Sequence, residues 1–117
     1  MAILKIAKMG HPLLLQKAKK VDDPTSPQIK KLVNDMLDTL NDLGGSGVGL
    51  AAPQVHISLQ VVIFEAVNEK KTSLITLINP KIKILTKETS IDWEGCLSVP
   101  GLRGKVSRPN KIKYTGF

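Results

Sequence analysis

The strongest constraint on this chain is a single amphipathic stripe. Ile29, Leu32, Val33, Met36, Leu37, Leu40 and Leu43 recur at spacings of three and four, the period of one face of an α-helix. Asp35, Asp38, Asn41 and Asp42 lie off that stripe. Just before it, Asp22-Asp23-Pro24-Thr25-Ser26-Pro27 is dense in helix-start residues. Either Thr25 or Ser26 can cap, Pro27 suits the first turn, and Gln28 stands three residues after Thr25, as a capping box requires. Gly44-Gly45 is expected to end the helix in the left-handed geometry of a C-terminal cap. The stripe is core rather than function.

The segments after it read as strands. Leu59 to Phe64 is β-branched and apolar, a buried strand, and Asn68-Glu69-Lys70-Lys71 reads as a turn. Leu74 to Ile78 is a second strand, stopped by Asn79-Pro80. Lys81 to Lys87 alternates at its start, which predicts a half-exposed strand with lysines outward. Lys111 to Tyr114 alternates again. The short links between 59–65, 74–79 and 81–87 predict antiparallel neighbours. Before the helix, residues 3–7 suggest an edge strand, and Pro12 holds His11 extended. Leu13-Leu14-Leu15 suggests a small apolar knot, and the lysines of 17–20 a solvated face. The fold class expected is α+β, an N-terminal amphipathic helix with about five mostly antiparallel strands.

With 117 residues there is room for one domain, 1–117, and 42% hydrophobic residues suffice for a core. The net charge of +7 allows attraction to RNA, ribosomes or acidic surfaces. The 17 basic residues are nevertheless spread along the chain, and four aromatics leave little to stack on bases, which disfavours a dedicated nucleic-acid module. One cysteine excludes an internal disulfide framework and fits a reducing compartment. Neither a signal peptide nor a membrane span is legible, so a cytoplasmic location is expected.

Two stretches carry the chemistry: Gly47-Val48-Gly49-Leu50-Ala51-Ala52-Pro53-Gln54 and Glu94-Gly95-Cys96-Leu97-Ser98. Each sets one equipped side chain among small residues, which let backbone and ligand approach closely. The first admits three readings. A flexible connector would more often be polar than Leu50-Ala51-Ala52. A phosphate-cradling loop would need a Gly-Lys-Ser/Thr ending and a preceding strand. The preferred reading is an ordered loop whose backbone faces a ligand. For Cys96 the plainest reading is a buried small hydrophobe. A nucleophilic cysteine wants a positioned base, whereas His11 and His56 sit in no recognisable motif and read as incidental. A metal site wants three protein ligands, and Cys96 supplies one. Trp93 reads as a core plug rather than a ligand platform.

The two stretches, in this order and at this separation, resemble the first two signature motifs of the peptide deformylases. Gly10-His11-Pro12-Leu13-Leu14 and the amphipathic helix are also similar to that family. The resemblance spans the whole chain and about the N-terminal two thirds of a typical member. It implies a hydrolase that removes the formyl group from N-formylmethionyl peptides newly made on bacterial-type ribosomes. It also implies a divalent metal, often iron(II) or else zinc or nickel, held by the motif cysteine and by two histidines of a helical His-Glu-x-x-His segment. That metal activates a water, and the segment's glutamate serves as general acid and base. By motif position, Cys96 would be the metal ligand. The Gln54 amide and the Leu97 backbone N–H would stabilise the oxyanion. Val48, Gly49 and Gly95 would offer backbone hydrogen bonds to a peptide laid down as an added strand. Arg103 matches a substrate-contacting position.

The chain departs from the family in lacking the His-Glu-x-x-His segment, and with it two metal ligands and the general base. The C-terminal metal-binding helix is therefore expected to be absent and the chain inactive as it stands. The alternatives are a fragment of an active deformylase and a non-catalytic peptide- or ribosome-binding module. Strands deprived of that helix should leave an apolar face exposed and prone to self-association. No DNA or membrane partner is expected.

Overall fold

The computed structural model describes residues 3–43, 48–68 and 71–117. The expected Gly44-Gly45 cap and the start of the first motif, Gly47, lie outside these residues. So does the middle of the turn expected at 68–71.

Helix α1 runs Pro27–Asp42 and starts where the sequence places it. Of the two candidate caps Ser26 is used, its hydroxyl accepting from the Ile29 N–H, with Pro27 in the first turn. Asp23 accepts from both the N–H and the hydroxyl of Thr25 and folds the preceding turn. The buried face holds Ile29, Leu32, Met36 and Leu40, with Val33 and Leu37 packed at its margin. It also holds two residues off the apolar stripe. Asp35 is buried, with its carboxylate bonded to Lys31 one turn earlier. Thr39 is 2% exposed and satisfied twice: its hydroxyl donates to the Asp35 carbonyl at 2.7 Å and accepts the Leu4 N–H at 2.9 Å. Burial of polar side chains is tolerated when each polar atom has a partner.

Seven strands follow among the described residues: β1 Gly49–Ala51, β2 Val61–Asn68, β3 Lys71–Ile78, β4 Lys81–Ile84, β5 Thr89–Cys96, β6 Val99–Pro109 and β7 Ile112–Thr115. They form three antiparallel groups: a sheet in the order β1-β2-β3, a ribbon β4-β7 and a ribbon β5-β6. The α+β class and the antiparallel preference are as expected. The pairing of the third predicted strand is not, because β4 pairs with the last strand rather than with β3. Asn79 is the reason the chain leaves the sheet. It sits at φ 53, and its side chain clamps Val21, accepting the Val21 N–H and donating to the Val21 carbonyl.

One face of the three-stranded sheet, with Leu50, Val61, Ile63 and Ile78, is sealed under α1. Residues 3–8 form no strand, contrary to expectation. Together with Met9 they run as a strap: the Leu4 N–H reaches Thr39 in α1, the Ala7 N–H donates to the Gln54 carbonyl at 2.6 Å, and the Met9 N–H to the Ser98 carbonyl at 2.7 Å. The leucines of 13–15 do not make a buried knot. They form a short 3-10 turn, Pro12–Leu15, none of whose residues is buried.

Candidate active site

The first motif is ordered by its own backbone. Just before β1 the Val48 carbonyl accepts the Glu65 N–H, which commits the segment to the sheet. Antiparallel alternation then turns the N–H and C=O of Gly49 away from β2, toward the open edge of the sheet. Gly49 is glycine for a local reason: an added Cβ would stand 3.2 Å from the Ile63 carbonyl oxygen and 3.3 Å from Phe64 Cβ. The chain then tightens into a 3-10 turn, Ala52–Val55, that seats Gln54. His56 closes this turn in the left-handed region, and its ring meets His11 edge to face at 4.7 Å between centroids. The two histidines are thus neighbours, and neither lines the cleft described next.

Every polar group of the Gln54 amide is engaged. Its Oε1 accepts the Ala51 N–H at 2.9 Å, which fixes the orientation of the amide. Its Nε2 donates to Ser98 Oγ at 3.1 Å and, at a longer 3.6 Å, to Cys96 Sγ. The second motif lies at the turn between β5 and β6, where the register slips between Gly95 and Cys96. That irregularity turns the backbone just before the cysteine. Cys96 is a free and exposed thiol, not the buried hydrophobe of the plainest reading. Trp93 is likewise no core plug: it is 52% exposed, with the Lys105 ammonium 5.4 Å from its ring centre.

Both motifs open on one cleft of about 980 Å³. Val48, Gly49 and Gln54 line it from one side, and Gly95, Cys96, Leu97 and Arg103 from the other, so all seven candidate site residues meet there. Glu94 also lines it and is held by a two-pronged pair, Arg108 Nε at 3.0 Å and Nη2 at 2.7 Å. The hydrogen bond from Arg108, helped by its charge and opposed by partial desolvation, holds the Glu94 carboxyl below its ordinary pKa. Ser98 is the residue that sequence reasoning quoted without giving it work. It is buried, and it receives both the Gln54 amide and, through its carbonyl, the strap. Its signal was a hydroxyl placed two residues after the only thiol, in an otherwise apolar run.

A metal would need more donors than the cleft offers. Among the described residues no group of three or more His, Cys, Asp or Glu side chains could hold an ion. Cys96 is one soft donor, and its near neighbours are an amide and a hydroxyl.

The family model for polypeptide deformylases matches residues 3–117. Peptide deformylase 1 of Nitrosomonas europaea is 44% identical over 120 residues, covering 97% of this chain and 67% of the relative. Peptide deformylase 2 of Ralstonia nicotianae is 44% identical over 124 residues, covering 98% and 67% respectively. Among solved structures, the peptide deformylase of Thermotoga maritima superposes with a TM-score of 0.88 at 33% identity, over 99% of this chain and 74% of that one. A Met-Ala-Ser-bound class I type b deformylase from Acinetobacter baumannii gives 0.87 at 33%, over 99% and 77%. The chain thus spans about two thirds of the length of these curated relatives. No helix of the described residues is long and apolar enough to cross a membrane. Sequence and fold agree over nearly every residue present, and the chain belongs to the peptide deformylase family.

Proposed function

We propose that the cleft is the peptide-binding and oxyanion-binding half of a deformylase site, and that the 117 residues alone do not hydrolyse formyl groups. The observation that carries this reading is the Gln54 amide. It is held by Ala51 and Ser98 and shares its last N–H with Cys96 Sγ at the weakest distance of the set. A formyl oxygen arriving there exchanges a long N–H···S contact for an N–H···O bond, so the donor is preorganised and displaceable at once. The Leu97 N–H is the second donor. A formylmethionyl peptide lies along the open edge of β1, where Gly49 supplies both a donor and an acceptor; Val48 and Gly95 flank it and Arg103 contacts its far end.

Cys96 is the metal ligand of this reading, for iron(II), zinc or nickel. Because the present donors do not complete a site, no hydrolytic step is assigned to these residues. The motif pair has no structural need for a thiol beside an amide, which supports descent from, or membership in, a working enzyme. The substrate is a nascent formylated chain in the cytoplasm, near the ribosome, and the charge of +7 supports that proximity.

The test is a formyl-Met-Ala-Ser peptide offered to the purified chain with added iron(II). Saturable binding seen by ligand-observed NMR, without formate release, is expected. Metal-dependent formate release would overturn the inactive reading, and absence of saturable binding would overturn the peptide groove.

A further inference from the structure

The basic residues are spread along the sequence, but the fold gathers four lysines on one ribbon. In β4-β7 the register sets Lys81 opposite Thr115 and Lys83 opposite Lys113. The Leu85 N–H bonds to the Lys111 carbonyl at 2.9 Å, which extends the same register by one pair. Alternation then places Lys81, Lys83, Lys111 and Lys113 on one side of the ribbon, with Leu85 and Thr115 beside them. Ile82, Ile84, Ile112 and Tyr114 take the other side. All four lysines are exposed, and their charge amounts to more than half of the net +7.

Such a face is costly unless something neutralises it. Lys83 and Lys113 stand directly opposite one another, where like charges repel. The ion pairs among the described residues are Lys31–Asp35 and Arg108–Glu94, and neither involves this ribbon. A face shaped only for solvent intersperses both signs. This one presents a single sign over roughly 13 Å, the length of four residues of strand.

The chemistry of the face narrows its partner. The ribbon's aromatic ring, Tyr114, is turned to the other side, where it meets Phe64 edge to face at 5.4 Å. Binding of single strands draws on stacking against aromatic rings, which this face does not offer. Lysine is a flexible point charge without the planar fork that reads base edges, so it reads phosphate and not sequence. A duplex carries one negative charge per about 1.7 Å of axis. Roughly 13 Å of ribbon therefore passes about eight phosphates, about half of them on the near backbone strand, which matches the four lysines.

We propose that the lysine face of β4-β7 docks on the phosphate backbone of duplex RNA, without reading its sequence. The choice of RNA rests on the proposed function, which sets the chain beside the ribosome; the face itself does not.

The experiment follows fluorescence anisotropy of a labelled RNA duplex titrated with the purified chain at several salt concentrations. Four neutralised phosphates give a slope of log affinity against log salt of about −3.6, a loss of roughly a hundredfold between 50 and 200 mM. The double variant Lys83→Thr with Lys113→Thr keeps strand-forming residues and should halve the slope, so that its loss over the same range is only about tenfold. Lys17→Thr with Lys20→Thr removes the same charge from an exposed segment outside the ribbon and should leave the slope in place. Circular dichroism checks that both variants fold. Salt-washed ribosomes should sediment the chain, and several-fold less of the ribbon variant. Absence of RNA binding overturns the proposal. So does an equal fall in slope for the two variants, since net charge alone then does the work. Anionic phospholipid vesicles that displace the RNA at lower phosphate concentration also overturn it, because the occupant is then a membrane. The formyl-peptide titration is separate: a chain that binds RNA but no peptide keeps the lysine face and refutes the cleft, and the reverse refutes the face alone.

Discussion

Replacing Thr39 by valine tests how the core of this protein reaches its cleft. The shape is nearly conserved, so no cavity opens, and the two residues have similar helix propensities. What is lost is a hydroxyl that is 2% exposed and makes two hydrogen bonds. The Asp35 carbonyl suffers little, because the N–H four residues on still bonds to it along the helix. The Leu4 N–H suffers more. It loses its 2.9 Å acceptor at a partly buried position, and an orphaned buried donor costs about 1–3 kcal/mol. Hydrophobic gain from the added methyl returns at most about 0.8 kcal/mol, so a net destabilisation of about 1–2 kcal/mol is expected. The effect should also travel. Leu4 begins the strap whose next amides, Ala7 and Met9, bond to Gln54 and Ser98, one from each motif. Urea unfolding gives the energy, and amide hydrogen exchange at Ala7 and Met9 gives the coupling. Thr39→Ser keeps the hydroxyl and serves as control. If the valine and serine variants unfold alike and both amides stay equally protected, the strap is not anchored through Thr39 and the reasoning fails.

Four further outcomes rest on individual contacts. Met36 is fully buried at the centre of the helix face, so Met36→Ala should cost about 2–5 kcal/mol, read as a lowered Tm. Ser98→Ala removes the stronger of the two Nε2 acceptors of Gln54 and should cost about 0.5–1.5 kcal/mol in urea titration; Gln54→Ala should cost about 1–3 kcal/mol, because it strands the Ala51 N–H. The Glu94 carboxyl is depressed in the folded state, so its contribution is present above its unfolded value, ordinarily 4.5, and is lost as pH falls through the lower folded one. Carboxyl-carbon NMR should show Arg108→Gln returning Glu94 to the ordinary range, and an unmoved titration would refute the pairing as its cause.

Sequence alone reached the helix, its start and the two motifs, because each is a local pattern. A three-and-four stripe, a Ser-Pro start and a lone thiol among small residues declare themselves within a dozen positions. It missed what depends on tertiary partners. Asp35 reads as lying off the apolar stripe and Thr39 carries no signal in it, yet both are buried, where Lys31 and the Leu4 N–H come to meet them. The strap of residues 3–9 offers a strand-like composition at its start, but its hydrogen bonds go one each to α1, the Gln54 turn and the Ser98 turn, which is no strand ladder. Strand β4 followed β3 too closely in sequence to suggest any partner but its neighbour. The Asn79 clamp on Val21 redirects it to β7, and no spacing rule contains that contact.

The same distinction explains why the cleft is the more complete half of the molecule. Gln54 and Cys96 stand 42 positions apart in the chain, yet they touch through bonds that the covered face of the sheet holds in place. Met36 and Ile63 seal that face, Thr39 ties the strap to it, and the strap carries both motif turns. None of these contacts involves the opposite face of the sheet, where Val62, Phe64, Ile75 and Leu77 lie. Phe64, Ile84 and Tyr114 lie beyond them and sustain neither Gln54 nor Ser98 in the contacts described. That separation predicts which substitutions act where. Changes at Thr39 or Ser98 should disturb the cleft, whereas Ile84→Lys, on an exposed side chain of the ribbon β4-β7, should leave it unaltered. Peptide binding by the isolated Ile84→Lys variant equal to that of the unsubstituted chain is the expected measurement, and a loss of binding there would mean that the two faces are not independent.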